Sequence, residues 1–371
     1  MIFSFSATET LLDFSSEKIQ ESINNLLTSY REGKHIIIAP IPFLDKIRDA
    51  NTIFSEIVRN SAGHASEQQY DYRSLLNDIN FFIEVDFSSP SKCDPQKVNQ
   101  NTEKLVLGYQ NFTDSSKTQL TTLMGENLND VDFYKFMAEK YKYVKKLSAY
   151  KSVYNAVGGG GGSTKAVFDN IVDKGGLCLC ILDNDIKHPD GKHGSTSQKF
   201  LDDKNMKLNG KYIIIKQNEA ECLIPLHLID LVAQENGINY VFINNLDNLR
   251  KLIQFDPNIR TFFDHKEGID VKKALKIDGQ KRPYWAHIIK NAPGIKKNKC
   301  VSRLECHCET PCLFVGGFSE KLLVQTIKII EKHKKPLLIK NYEQEIEDEW
   351  INIGKHIFSW SCAPIDKARL S

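Results

Sequence analysis

Apolar and polar positions alternate along this chain in two periods, and the period changes from segment to segment. Ile19, Ile23, Leu26 and Leu27 recur at helical spacing and predict a helix over residues 16–31. Residues 35–40 are a short apolar run ended by proline, read as a strand. Phe43, Leu44, Ile47, Phe54 and Ile57 then place one helix over 43–58. Residues 81–87 read as a strand closed by Ser88-Ser89-Pro90-Ser91, and 104–108 as another. Leu123 to Gly125, 177–182 and 211–215 are further strands, and Phe136, Met137, Tyr141 and Val144 mark a helix over 133–147. Strands alternating with helices favour a parallel sheet with helices on its faces, so the class expected is α/β.

At 371 residues the chain exceeds the roughly 250–300 that one core usually holds. Three parts are expected: an N-terminal α/β region at 1–115, a catalytic domain at 116–230, and a mainly helical, basic, cysteine-containing region at 231–371. With 41% hydrophobic and 26% charged residues the composition is that of a soluble protein, and no run of 18 apolar residues predicts a membrane span. The first residues lack the basic and apolar segments of a signal peptide. Nine cysteines, several in apolar runs, suit a reducing cytoplasm better than a disulfide scaffold. A net charge of +2 selects no partner by itself.

The candidate chemistry gathers between Leu123 and Asp185. Glu126 follows one strand, with Asp130 four residues on, and Asp183-Asn184-Asp185 follows another. Parallel sheets present functional groups at the carboxyl ends of their strands, so these carboxylates can converge on one edge. Crowded carboxylates repel one another unless a hard cation sits among them, and Mg²⁺ or Mn²⁺ suits oxygen donors. Glu219 and Glu221 follow the strand at 211–215, so one of the two can face the metal edge; a plain helix-start charge competes.

Five glycines, Gly158 to Gly162, lead into Ser163 and Thr164. A linker is one reading. The other is a turn in which Gly160, Gly161, Gly162, Ser163 and Thr164 offer backbone N–H groups to a phosphate at a helix start, with Ser163 or Thr164 as cap. Lys165 follows the hydroxyl residues instead of preceding them, which excludes an ATP phosphate loop. Lys187 is placed to neutralise phosphate charge, while His188 and His193 lie in a polar loop where solvation competes with function. Glu84 and Asp86 form a further acidic pair, more simply read as a solvated strand face.

Lys296, Lys297 and Lys299 belong to a basic stretch from Lys272 to Arg303 that includes Tyr284 and Trp285. Such a stretch suits a nucleic-acid backbone, and a solvated surface competes evenly. Cys300, Cys306, Cys308 and Cys312 supply four soft ligands for a structural Zn²⁺, although their spacing lacks paired C-x-x-C knuckles.

Glu126 and Asp130 before an aromatic helix start, then Asp183-Asn184-Asp185 after an apolar strand, resemble the two acidic motifs of Toprim domains. The resemblance is nearest to the OLD-like nucleases and the Toprim effector of PARIS-type antiphage systems. Glu219-Ala220-Glu221-Cys222-Leu223 and Asp264-His265-Lys266-Glu267-Gly268 are similar to further segments of that group, and the match runs from about Thr121 to Gly268. It implies a Toprim-like parallel sheet flanked by helices, and a Mg²⁺-dependent nuclease of DNA or RNA, transfer RNA included, acting in bacterial defence. Glu126, Asp130, Asp183 and Asp185 would be its catalytic and metal-binding residues, and the resemblance favours Glu221 over Glu219 as a further metal ligand. The partners implied are nucleic acid and a separate ATPase subunit, with a homodimer admitted. Two other readings stay open: a metal-dependent glycosyltransferase with an Asp-x-Asp motif, and a non-catalytic partner-binding module.

Overall fold

The computed structural model of the chain describes residues 1–6, 14–205, 207–235, 240–279, 281–333, 337, 340 and 342–365. Its strands are β1 (Ile2–Ser6), β2 (Ile36–Ile38), β3 (Phe81–Asp86), β4 (Cys93–Asn99), β5 (Thr102–Gly108), β6 (Thr122–Gly125), β7 (Tyr150–Ser152), β8 (Asn155–Gly158), β9 (Cys178–Leu182), β10 (Gly210–Ile214), β11 (Gly268–Asp270), β12 (Leu313–Gly316) and β13 (Cys362–Pro364). They build two main sheets. The first has the order β2-β1-β3-β5-β4 and is parallel except for its edge strand β4. The second has the order β10-β9-β6-β8 and is parallel throughout. Two antiparallel pairs, β11-β12 and β13-β7, complete the set. The expected α/β class is therefore present, with parallel-rich sheets flanked by helices.

The second sheet positions the acidic residues. Every residue of β9 is buried, as its unbroken apolar run requires of a strand covered on both faces. Met124, Cys178, Cys180 and Leu182 pack against Phe168 and Phe200 on one side, while Leu123, Leu179 and Ile181 join the main core on the other. The helix after β6 runs from Leu128 to Val144, beginning a full turn before the expected Phe133. Asn127 starts it: its backbone N–H donates to the Asp130 carboxylate at 2.8 Å, half of a capping box.

Two expectations need correction. The single helix over 43–58 is two helices, Ile41–Asp49 and Glu56–Glu67. Ala50 leaves helical geometry at ψ 65°, and the Ser55 side chain accepts the Val58 N–H to open the second helix. Strands β1, β4, β7, β8, β11, β12 and β13 were not among the strands expected from the sequence.

The closing helix, Gln344–Ser361, returns to the front of the chain. Trp360 stacks on Phe81 of the first sheet, with ring centroids 4.5 Å apart. Trp350 donates from Nε1 to the Leu223 carbonyl at 2.7 Å and packs edge-on against Phe133. Among the described residues, no helix is long and apolar enough to cross a membrane.

Candidate functional site

β6 and β9 are the two central, parallel strands of the second sheet, with Thr122 opposite Cys178 and Met124 opposite Cys180. Glu126 is two residues past Met124 and Asp183 three past Cys180, so both emerge at the same carboxyl edge. Asp185 reaches this edge through a tight turn. Its own φ is +57°, in the left-handed region that Asp tolerates better than most residues. Asn184 fixes the turn, donating to the Lys216 carbonyl at 2.5 Å and accepting the Ile186 N–H at 2.7 Å. Asp185 N–H donates to the Asn218 carbonyl at 3.0 Å, and the Gly194 backbone lies so near the Asp185 carboxylate that no Cβ fits there.

The segment after β10 brings Glu219 and Glu221 to the same place. Lys266 meets both, with Nζ 3.0 Å from Glu219 and 3.1 Å from Glu221. Glu219 also accepts the His265 N–H at 3.1 Å. Glu221, expected to face a metal, is thus already paired with a cation. Six carboxylates share this region, and their protonation reflects the crowding. Burial, then Asp185 and Asp130, push Glu126 up to about 7. Burial pushes Asp130 up to about 6, opposed by the Asn127 N–H. Burial and Glu221 push Glu219 up to about 7. Asp183 sits deep among protein atoms although part of its surface meets solvent. Burial, then Asp130 and Glu126, raise it well above the carboxylate range. Burial also raises Asp185, countered by Lys187 and Lys266. Tyr134 lies buried under the same field and is raised far above its ordinary value by burial and then Asp183. Glu126 Oε1 is buried without a hydrogen-bond partner.

Among the described residues, two groups of His, Cys, Asp or Glu have every donor atom within 4.8 Å of the others. One is Cys300, Cys306, Cys308 and Cys312; the other is the buried trio Glu219, Cys222 and His265. Glu126, Asp183 and Asp185, expected to share one ion directly, occupy one edge but do not close to that spacing. In the trio, the Cys222 thiol donates to the Phe263 carbonyl at 3.3 Å and His265 Nε2 has no partner. Burial lowers His265 to about 3, so it is neutral.

The glycine loop is neither a linker nor the expected phosphate cradle. Gly159 N–H donates to the Gly125 carbonyl at 2.9 Å, and Gly160 and Gly161 N–H groups donate to the Glu126 carbonyl at 2.9 and 3.4 Å. Two of the N–H groups assigned to an anion are therefore spent on bracing Glu126. Neither Ser163 nor Thr164 caps the helix Thr164–Asp173: their hydroxyls donate to the Gly159 and Gly161 carbonyls, each at 2.6 Å. Gly162 accepts from Lys199 at 2.8 Å, and Lys165 pairs with Asp169 and Asp203.

Lys187 stands exposed at the rim, 3.1 Å from Asp264. Burial opposes ionisation of Asp264, yet the Glu267 N–H and Lys187 hold it below its ordinary value. His188 is not solvated: it is buried, accepts the Asp190 N–H at 2.9 Å and meets the Arg282 carbonyl at 3.1 Å. Glu84 and Asp86 are neither a metal pair nor a solvated face, being paired with Lys104 at 2.7 Å and Lys92 at 3.3 Å. Lys296, Lys297 and Lys299 are exposed beside the cysteine group, and Lys297 donates to the Lys290 carbonyl.

Sequence reasoning gave no role to Lys266 or Tyr134, and ranked Glu219 second to Glu221 for the metal edge. The signal for Lys266 was its place in Asp264-His265-Lys266-Glu267-Gly268; nothing local announced its partners. Searches of protein-family models, curated proteins and solved structures give no match to this chain.

Proposed function

We propose that the chain is a metal-dependent nuclease whose centre is the carboxylate edge of the second sheet. One observation carries the reading: buried acids gather at the ends of β6 and β9 with too little positive charge to hold them ionised. Lys266 answers Glu219 and Glu221, while Glu126, Asp130 and Asp183 remain above their ordinary values and Glu126 Oε1 lacks a partner. This donor set is all oxygen and fits Mg²⁺ or Mn²⁺. Mg²⁺ keeps several of its waters, so Glu126, Asp183 and Asp185 can hold it partly through water. Bound there, the metal would supply charge stabilisation at a phosphoryl group and a more acidic water.

The residues then divide the work. Asp183 and Asp185 would hold the ion. Glu126, poised near neutrality, would hold it or move a proton on the attacking water. Asp130, fixed by the Asn127 N–H, would be a further ligand or an orienting group. Lys187 draws in the phosphate backbone. The resemblance of these motifs to Toprim nucleases suggests DNA or RNA as substrate and a defence effector working with a separate ATPase. The glycosyltransferase reading is weaker, because the Asp-x-Asp strand and the N-terminal strands lie in different sheets and Glu126 and Asp130 would have no task.

The test compares Asp183→Asn and Glu126→Gln with the unaltered chain on plasmid DNA and total RNA. Cleavage should fall by orders of magnitude, while melting temperature without metal stays equal or rises, because a buried acid that resists ionisation gives way to a neutral group of the same shape. Variants that cut normally would remove the nuclease reading. Variants that melt far lower would make the carboxylates structural and favour the non-catalytic module.

A further inference from the structure

A second centre lies outside the carboxylate edge, in the segment that leads into β12. The four sulfurs of Cys300, Cys306, Cys308 and Cys312 lie within 4.8 Å of one another, and those of Cys300 and Cys308 are 3.7 Å apart. A disulfide needs about 2.05 Å, so these thiols are not bonded in pairs. Four sulfurs placed tetrahedrally about 2.3 Å from an ion are separated by roughly 3.8 Å, which the Cys300–Cys308 pair matches at 3.7 Å and the 4.8 Å bound on the others admits.

The local chain explains how an irregular spacing closes. The Asn298 side chain accepts the Val301 N–H at 2.9 Å and starts the short helix Lys299–Arg303. Leu304 then takes a left-handed φ of +52° and reverses the chain, and the Glu305 N–H returns to the Cys300 carbonyl at 3.2 Å. Cys306 and Cys308 thereby fold back over Cys300. Asn298 Nδ2 also donates to Cys312 Sγ at 3.2 Å, the kind of outer bond that orients a metal-bound sulfur.

We propose that these four cysteines bind one Zn²⁺, and that this centre positions Lys266 by anchoring the strand pair β11-β12. Four thiolates form a soft donor set that selects zinc over magnesium. The anchor is continuous. Cys312 donates its N–H to the Asp270 carboxylate at 2.6 Å and accepts the Val271 N–H at 2.9 Å. β12 then runs beside β11, with Ile269 opposite Val315 and Gly268 opposite Gly316. Beyond the pair, the Phe318 N–H donates to the His265 carbonyl at 2.7 Å, and the Gly317 backbone presses on the Lys266 carbonyl with no room for a Cβ. Lys266 is held by this backbone and extends its ammonium to Glu219 and Glu221. The effect on cleavage rests on the nuclease reading; zinc content and backbone exchange do not.

The experiment uses the full chain, washed with a weak chelator. Elemental analysis should find one zinc per chain, and protein made with Co²⁺ should show tetrahedral ligand-field bands with thiolate charge transfer. The Cys306→Ser, Cys308→Ser double variant should lose both. Absence of zinc and of the cobalt spectrum in the unaltered chain overturns the site, as does full zinc retention by the double variant. Because that variant can misfold, the positioning role is read in the unaltered chain. Zinc is removed by a strong chelator and restored, and amide exchange is followed by mass spectrometry. Exchange in 264–271 and 312–318 should rise several-fold on removal and recover with zinc, while β1 and β3 stay unchanged. A rise confined to 298–312, or one that includes β3 equally, overturns the positioning role.

Discussion

Lys266 reaches two carboxylates buried more deeply than itself, and that sets its dependence on pH. Burial opposes its charge, but Glu219 and Glu221 raise its pKa well above the ordinary value. Lys266→Met leaves both acids without their cation. At pH 8 we expect a loss of about 1–3 kcal/mol, the cost of stranding a buried polar group. At pH 6 Glu219, with its value near 7, takes up a proton and the loss shrinks. Urea unfolding at the two pH values measures this, and an equal loss at both would contradict it. The same acids make the metal-free protein lose stability as pH rises. Glu126 and Glu219 near 7 and Asp130 near 6 lie above their ordinary 4.5 and 3.8. The unfolded chain releases these protons first, so between about pH 4 and 7 it binds fewer protons than the folded one and stability falls. On the proposed reading, Mg²⁺ would bind the ionised acids. Its gain in melting temperature should therefore be small near pH 5 and grow through pH 7, and a gain independent of pH would dissociate the ion from these groups. Glu126, Asp183 and Asp185 were legible in the sequence because each follows an apolar run whose end is visible. Lys266 was not, since its function is a contact with Glu219 across 47 residues of chain.

The glycine loop shows how much of an element's role depends on what it touches. A Cβ on Gly158 would lie 2.9 Å from the Leu128 nitrogen, and one on Gly159 would lie 2.7 Å from the Thr164 Cβ, a fully buried neighbour that cannot yield. Gly162 has nothing within 4 Å and no left-handed φ. Gly159→Ala should therefore cost about 1–3 kcal/mol through overpacking, and Gly162→Ala almost nothing. Denaturant midpoints of the two variants decide this; a neutral Gly159→Ala would restore the linker reading. Elements with strong apolar runs, such as β3 and β9, were legible at once. β4 was not, because Cys93–Asn99 is an exposed, polar edge strand containing Pro95, and only its pairing with β5 makes it a strand. β8 was hidden for a related reason: its four residues end in the first glycine of the loop, and the β6 ladder alone holds them extended.

The three sequence regions meet in one core, and the closing helix Gln344–Ser361 is what joins them. At its start Glu347 pairs with the buried Lys140 at 2.9 Å. In its middle Gly354 abuts the Met137 carbonyl, so that the two helices touch through backbone. At its end Trp360 stacks on Phe81, Ser359 accepts the Asn80 N–H at 2.9 Å, and Cys362 accepts from the Met1 ammonium. This junction was illegible because helical periodicity says which face is apolar and nothing about which element covers it. Its consequence is mechanical. The first sheet contributes none of the carboxylates, yet it shares the packing that supports the helix carrying Asp130 and Tyr134. Trp360→Ala opens a cavity between these parts and should cost about 3–5 kcal/mol, the usual range for a buried aromatic. If the core is shared, calorimetry should show one transition moving down as a whole, with amide exchange rising in β3 and in the helix Leu128–Val144 together. Two separated transitions, with exchange rising in β3 alone, would instead make the N-terminal sheet an independent unit resting against the site.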